Sequence, residues 1–193
     1  MANGSPDLVL EGYSGAAHCC WTYHIISLGA EPGLLVRFEN ERGAGFAIDA
    51  GSGNMEIRAL DGAFDYFDQM SHAASPFPKV YLRLQGKKLI EINQEHLADY
   101  DRDIHKWQLE ISGKDLSVFR QAENREEKYG FEDTAFLALQ IVLAYLYSGR
   151  EAQARKALEE MWPSFDQDRI WKLIFDRRSK GILRYTKRLR AEL

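Results

Sequence analysis

Hydrophobic positions alternate along much of the first two thirds of the chain and fall at helical spacing after it. In Leu34 to Glu39, Leu34, Val36 and Phe38 share one side of an extended strand, with Leu35, Arg37 and Glu39 on the other. Residues 40–43 suit a turn into Phe46-Ala47-Ile48, and the Gly-Ser-Gly-Asn of residues 51–54 suits the end of that strand. Val80, Leu82 and Leu84 alternate with Tyr81, Arg83 and Gln85. Gly86-Lys87 then predicts a two-residue turn into Leu89-Ile90-Glu91-Ile92. Trp107, Leu109 and Ile111 alternate with Lys106, Gln108 and Glu110, which predicts a further strand. Segments of this kind joined by short turns predict an antiparallel sheet with one wet face.

One short helix is expected near residues 61–72. Asp61 can cap it, Phe64, Phe67 and Met70 share a side, and Pro76 and Pro78 prevent it from continuing. Asp65 and Asp68 are then expected to face solvent, and their spacing is not that of a calcium loop. Beyond about residue 123 the period is helical. Glu132 and Asp133 favour a helix start through the macrodipole, and Gly149 suits the position just past that helix. Glu151 to Met161 forms a second helix stopped by Pro163. A third is capped by Asp166 or Asp168 and buries Ile170, Leu173, Ile174 and Phe175. The hairpin from Ala144 to Met161 resembles one tetratricopeptide unit through Tyr145, Gly149 and Ala154. A single unit builds no solenoid, so the resemblance implies only an antiparallel helical hairpin. The pattern predicts an α+β fold: an antiparallel sheet of about five or six strands packed on a three- to four-helix bundle. Residues 1–122 would be mainly β, and residues 123–193 helical and sharing the same core.

Composition narrows the class of protein. The chain has 193 residues, 45% of them hydrophobic and 28% charged, which excludes disorder, collagen, coiled coil and disulfide scaffold. No Lys or Arg precedes Arg37, so the start lacks the basic flank of a secretory signal. The uncharged run from Thr134 to Gly149 is shorter than a typical spanning helix, so it is expected in the core. The two adjacent cysteines, Cys19 and Cys20, are expected to be free, buried thiols in a reducing cytoplasm. Charge is distributed unevenly. From Arg169 to Leu193 there are nine basic and two acidic residues, a net +7, while the other 168 residues carry −11. Such a division suggests docking on an acidic surface, either the chain's own or a partner's.

The densest polar cluster is His18-Cys19-Cys20-Trp21-Thr22-Tyr23-His24. As a strand it sets His18 and His24 about 20 Å apart, too far to share a metal ion. As a helix it makes Cys20 and His24 neighbours one turn apart, able to form a dyad. A cysteine followed by Trp near a helix start resembles the nucleophile helix of papain-like hydrolases. The resemblance spans about fifteen residues and implies Cys20 as nucleophile, with its base a histidine on a later strand. The residues usual ahead of that nucleophile are missing. His105 opens an expected strand, whereas His72 and His96 fall in expected helix or loop. Gly43-Ala44-Gly45 and Gly51-Ser52-Gly53 complete no phosphate-binding fingerprint, and neither a metal nor a cofactor is expected.

The basic end carries the strongest interaction signal. Drawn as a helix, Ile182, Tyr185, Leu189 and Leu193 form an apolar stripe, with Arg184, Lys187 and Arg188 opposite. Together with Arg177 and Arg178 these cations are the expected partner-binding residues. An acidic protein surface is the preferred partner and nucleic acid the second, since the chain as a whole is acidic. The expectation is a small bacterial, cytoplasmic protein-binding module, such as the immunity partner of a toxin or an adaptor, steered by charge. A hydrolase or transferase using Cys20 is the alternative, and a nucleic-acid-binding accessory protein the next.

Overall fold

The computed structural model describes residues 6–16, 19–40, 46–49 and 55–186. It is an α+β protein with seven strands in two antiparallel sheets, ordered β1-β2-β3 and β4-β5-β6-β7, among the described residues. The chain divides into two compact units. Residues 1–63, 79–92 and 178–193 form a sheet unit; residues 64–78 and 93–177 form a helical unit.

In the sheet unit, β1 (Asp7–Ala16), β2 (Cys19–Ser27) and β3 (Gly33–Asn40) make the first sheet. β4 (Phe46–Asp49), β5 (Glu56–Leu60), β6 (Lys79–Gln85) and β7 (Lys88–Glu91) make the second. Tyr23, Ile25 and Phe38 are buried from one side, and Ile57, Ala59, Val80, Leu82, Leu84 and Leu89 from the other. The sheets meet at aromatic rings: Tyr23 stacks on Phe38 at 5.0 Å and on Phe46 at 4.2 Å. Gly86 turns β6 into β7 with φ of 59°, the left-handed backbone that glycine adopts without a steric cost.

One face differs from its alternation. Ile25 pairs with Val36 but Ile26 pairs with Leu34, so Leu35 is an extra residue in β3. The bulge reverses the alternation at that point. Leu34 therefore lies on the opposite face from Val36 and Phe38, and it is 51% exposed.

Asn40 closes the end of β3. Its amide donates to Leu60 O at 2.6 Å and its carbonyl accepts from Gly62 N at 2.9 Å. Asp61, fully buried, accepts from Ala63 N and from Ile182 N, which ties the chain's late segment to the end of β5. Gly181 is required there, because a Cβ would come within 2.2 Å of the Asp61 carboxylate.

The helical unit is arranged about α4 (Glu132–Tyr147). It is apolar all round, and α1 (Leu97–Ser112) and α5 (Glu151–Met161) pack along it. Gly149 ends it as expected, with φ of 82° just past the helix. The strand expected around Trp107 is instead the second half of α1. Tyr100, Ile104 and Ile111 are buried one helix face apart, whereas Leu109 is 62% exposed. That longer helical set outweighs the local alternation.

The helix expected near residues 61–72 is two 3-10 turns, Gly62–Phe64 and Phe67–Gln69. Between them and within the second, Tyr66, Asp68 and Gln69 have φ of 50°, 50° and 74°. The polar side chains on this segment also turn inward. Asp65 and Asp68 are 2% and 8% exposed rather than solvent-facing.

Candidate functional site

The dyad expected of Cys20 and His24 does not form. Both lie on β2, four residues apart, and a strand rises about 3.3 Å per residue, so their side chains cannot meet. A strand here also removes the basis for the papain-like nucleophile helix. Cys20 is moreover disulfide-bonded, not the free thiol expected.

The basic end folds onto the sheet unit's own carboxylates. Arg178, at the end of α6 (Gln167–Lys180), is 3.7 Å from Glu91 on β7. Arg184 lies in the 3-10 turn Ile182–Tyr185 and is 3.8 Å from Glu39 on β3. It also donates to Tyr185 Oη at 2.9 Å and to Lys180 O. Arg177 is half-buried on α6. The helix expected from Ile182 onward stops at Tyr185, because Thr186 is extended and bridges Leu89 in parallel. Lys187, Arg188, Leu189 and Leu193 lie outside the described residues.

The first sheet carries a surface that the sequence pattern did not isolate. Its register sets three rows on the wet face: Leu8, Ile26 and Leu34; then Leu10, His24 and Arg37; then Gly12, Thr22 and Glu39. Leu8, Leu10 and Leu34 are 40%, 47% and 51% exposed, and Leu28 beside them is 48% exposed. Arg37 donates to Glu39 at 2.5 Å, and Arg184 approaches the same carboxylate's other oxygen. Two arginines thus share one carboxylate beside an apolar patch.

The helical unit holds a second polar centre, in which the two carboxylates and a lysine are buried. Asn124 caps α3 (Arg125–Tyr129) by accepting from Glu127 N, and the Glu127 carboxylate accepts from Glu123 N, just ahead of the cap. That short helix delivers Lys128, which is fully buried. Its Nζ donates to Asp68 Oδ2 at 2.8 Å and to Asp166 Oδ2 at 2.7 Å. Arg169 forks onto Asp68 with bonds of 2.6 and 2.7 Å and also reaches Asp166. Trp162 Nε1 adds a bond of 3.2 Å to Asp166, and its ring lies 5.2 Å from Lys128 Nζ. The left-handed backbone at Asp68 is held by these partners. Asp166, expected as a helix cap, spends its carboxylate here instead. No local pattern links residues 68, 128 and 169, so this cluster has no signature along the chain.

Burial acts to raise the pKa of Asp68, but the bonds from Arg169 and Lys128 overcome it and hold the carboxyl at about 2. Asp166 is lowered against its burial by the same two cations. Tyr129 is raised, first by burial and then by the neighbouring Asp68, through its hydrogen bond and then its charge. Arg125 adds a third cation, donating to Asp68 Oδ1 at 3.3 Å, so both carboxylates are fully engaged by donors and the cluster fastens the fold. A carboxyl whose folded pKa lies below its unfolded value near 3.8 adds stability above that value and loses it as pH falls toward 2. An acid titration of unfolding free energy should therefore show about 2 kcal/mol from Asp68 disappearing between pH 4 and pH 2, and Asp68→Asn should flatten that limb. An unchanged limb in Asp68→Asn would disprove the assignment.

Asp65 and His72 pair nearby, Oδ1 to Nδ1 at 2.7 Å, with Tyr66 N also donating to Oδ1. The His72 ring lies edge-on to Phe77 at 5.5 Å. The pair braces residues 65–77 against themselves. Among the described residues, no group of three His, Cys, Asp or Glu side chains is placed to hold a metal ion. Nor is any helix there long and apolar enough to cross a membrane. No protein-family model, curated protein or solved structure matches the chain.

Proposed function

We propose that the protein is a protein-binding module whose partner is an acidic protein seated on the wet face of the first sheet. The observation that carries this reading is the patch of Leu8, Leu10, Ile26 and Leu34 bordered by Arg37 and Arg184. Burying exposed leucine is favourable by about 25 cal/mol per Å², and the arginines give orientation and a faster encounter with negative charge. The role expected of the basic end is thereby narrowed to Arg184, which borders the patch, while Arg178 lies against Glu91.

A photo-crosslinking residue at Leu34, in cells that make the protein, tests this. One discrete adduct with an acidic protein is expected, and Leu10→Lys should abolish it. Reversing Arg37 and Arg184 to Glu should slow the association at low salt. Thermal stability should barely move, since exposed charges are worth about 0–1 kcal/mol each. The reading fails if the adduct is nucleic acid, or if a crosslinker at Leu109 on α1 captures the same protein equally well.

A further inference from the structure

The register of the second sheet sorts its side chains, because residues directly opposite one another lie on the same face. Ile57, Ala59, Val80 and Leu82 share the core face. Glu56, Arg58 and Leu60 on β5 therefore share the other, with Ala47 on β4 and Lys79, Tyr81 and Arg83 on β6. Two arginines on this face have different surroundings. Arg83 stands opposite Glu56 and donates to it at 2.6 Å. Arg58 stands between Ala47 and Tyr81, so neither cross-strand neighbour brings a carboxylate. Lys79 lies diagonally from it, opposite Leu60. Two positive charges thus rise from one patch of the sheet, from backbone positions about 7–8 Å apart.

A hollow of about 340 Å³ opens at this patch, lined by Phe46, Ala47, Arg58, Ala59, Leu60 and Lys79. That volume falls within the range of about 300–1,000 Å³ typical of small-molecule sites. Ala47 leaves the space, since its side chain ends at Cβ where strands favour larger residues. Ala47 and Arg58 are exposed, so the hollow is open to solvent. We infer that it binds a small organic carboxylate, the charged group between Arg58 and Lys79 and the apolar body over Ala47 and Leu60. The lining contains two cations and no acid. A carboxylate between the cations relieves their mutual repulsion, and the planar guanidinium of Arg58 matches it with two parallel bonds.

A phosphate is served less well here. Its extra oxygens are usually met by the N–H groups of a helix start or by a nest of backbone amides. β5 lies between β4 and β6, so its amides are spent on the two ladders. Four of the six lining residues are apolar, which suits a ligand with an apolar body over a bare inorganic ion. The site also stands on a strand with a partner on each side, which holds Arg58 in place more firmly than a loop would. The inference does not rest on the proposed acidic partner, which is placed on the first sheet.

Titration of the full chain with naphthoate at low salt, followed by amide NMR shifts, tests it. The shifts should saturate and centre on Ala47, Arg58, Leu60 and Lys79. Naphthamide keeps the apolar body without the charge and should bind about tenfold more weakly or worse, because charge-assisted hydrogen bonds are the stronger kind. Naphthyl phosphate should bind no more tightly than naphthoate. Arg58→Gln should weaken naphthoate binding about tenfold or more. Ala47→Trp should fill the hollow and abolish the saturable shifts, whereas Arg83→Gln should leave them as they are. Circular dichroism checks the folding of each variant, and Arg58→Gln carries the test should Ala47→Trp fail to fold. The inference is overturned by an absence of saturable shifts, by naphthamide binding as well as naphthoate, or by tighter binding of naphthyl phosphate. Undiminished affinity in folded Arg58→Gln, or an equal loss in Arg83→Gln, overturns it as well.

Discussion

Replacing Lys128 by methionine is expected to lower the unfolding free energy by about 3–5 kcal/mol. Its ammonium is fully buried between two carboxylates, at 2.8 Å from Asp68 and 2.7 Å from Asp166. Methionine fills the same channel but returns no charge, so the two carboxylates face one another with Arg169 as their main counter-ion. The segment that carries Asp68 loses a second support at the same step. Its backbone is left-handed at Tyr66, Asp68 and Gln69, a conformation of order 1–3 kcal/mol above the ordinary one, held in place by these bonds. Urea unfolding followed by tryptophan emission measures the effect, since Trp162 bonds to Asp166 within the cluster. A midpoint that stays where it is would mean that water replaces the ammonium without cost, and the cluster would then be no fastening at all.

Leu143→Ala is expected to remove about 2–5 kcal/mol, as buried leucines do when a cavity is left behind. Leu143 is fully buried on α4, and Ile141, Val142 and Ala144 beside it are buried as well, so no face of the helix can rotate to close the gap. A thermal melt followed at the helical signal reads this out. An unaltered transition would place Leu143 at a surface, which the all-round burial of α4 forbids.

These two residues show what could be read from the chain and what could not. Leu143 lies in an uncharged run ended by Gly149, and local pattern alone predicts a buried helix there. The hairpin at Gly86 and the strand at Val80 to Leu84 are legible for the same reason: each is set by neighbours a few positions away. Lys128 is different. Its partners lie 60 and 38 positions distant, and nothing in their spacing marks them. Asp65 and Asp68 read as solvent-facing because a short helix would point them outward, whereas the left-handed turns point them in. At Trp107 two patterns compete, and only the burial of Tyr100 and Ile104 decides for a helix. The wet-face patch was hidden by a single extra residue. With Leu35 counted in the ladder, Leu34 belongs to the core; with it bulged, Leu34 joins Ile26 and Leu8 on the outside.

The sheet unit is assembled from three separated stretches of chain, and that bears on the order in which the protein can be completed during synthesis. Asp61 leaves the ribosome 121 positions before the Ile182 amide that bonds to it, and Glu91 likewise waits for Arg178. Every residue of the helical unit, 64–78 and 93–177, is made within that interval. Contacts so distant in sequence form slowly because the loop between them must close first. The earliest strands therefore stand unfinished while later helices already have all their residues. A stalled ribosome or a protease that removes residues 178–186 would strand them in that state, with the buried carboxylate of Asp61 opened to water and the edge of β7 uncovered.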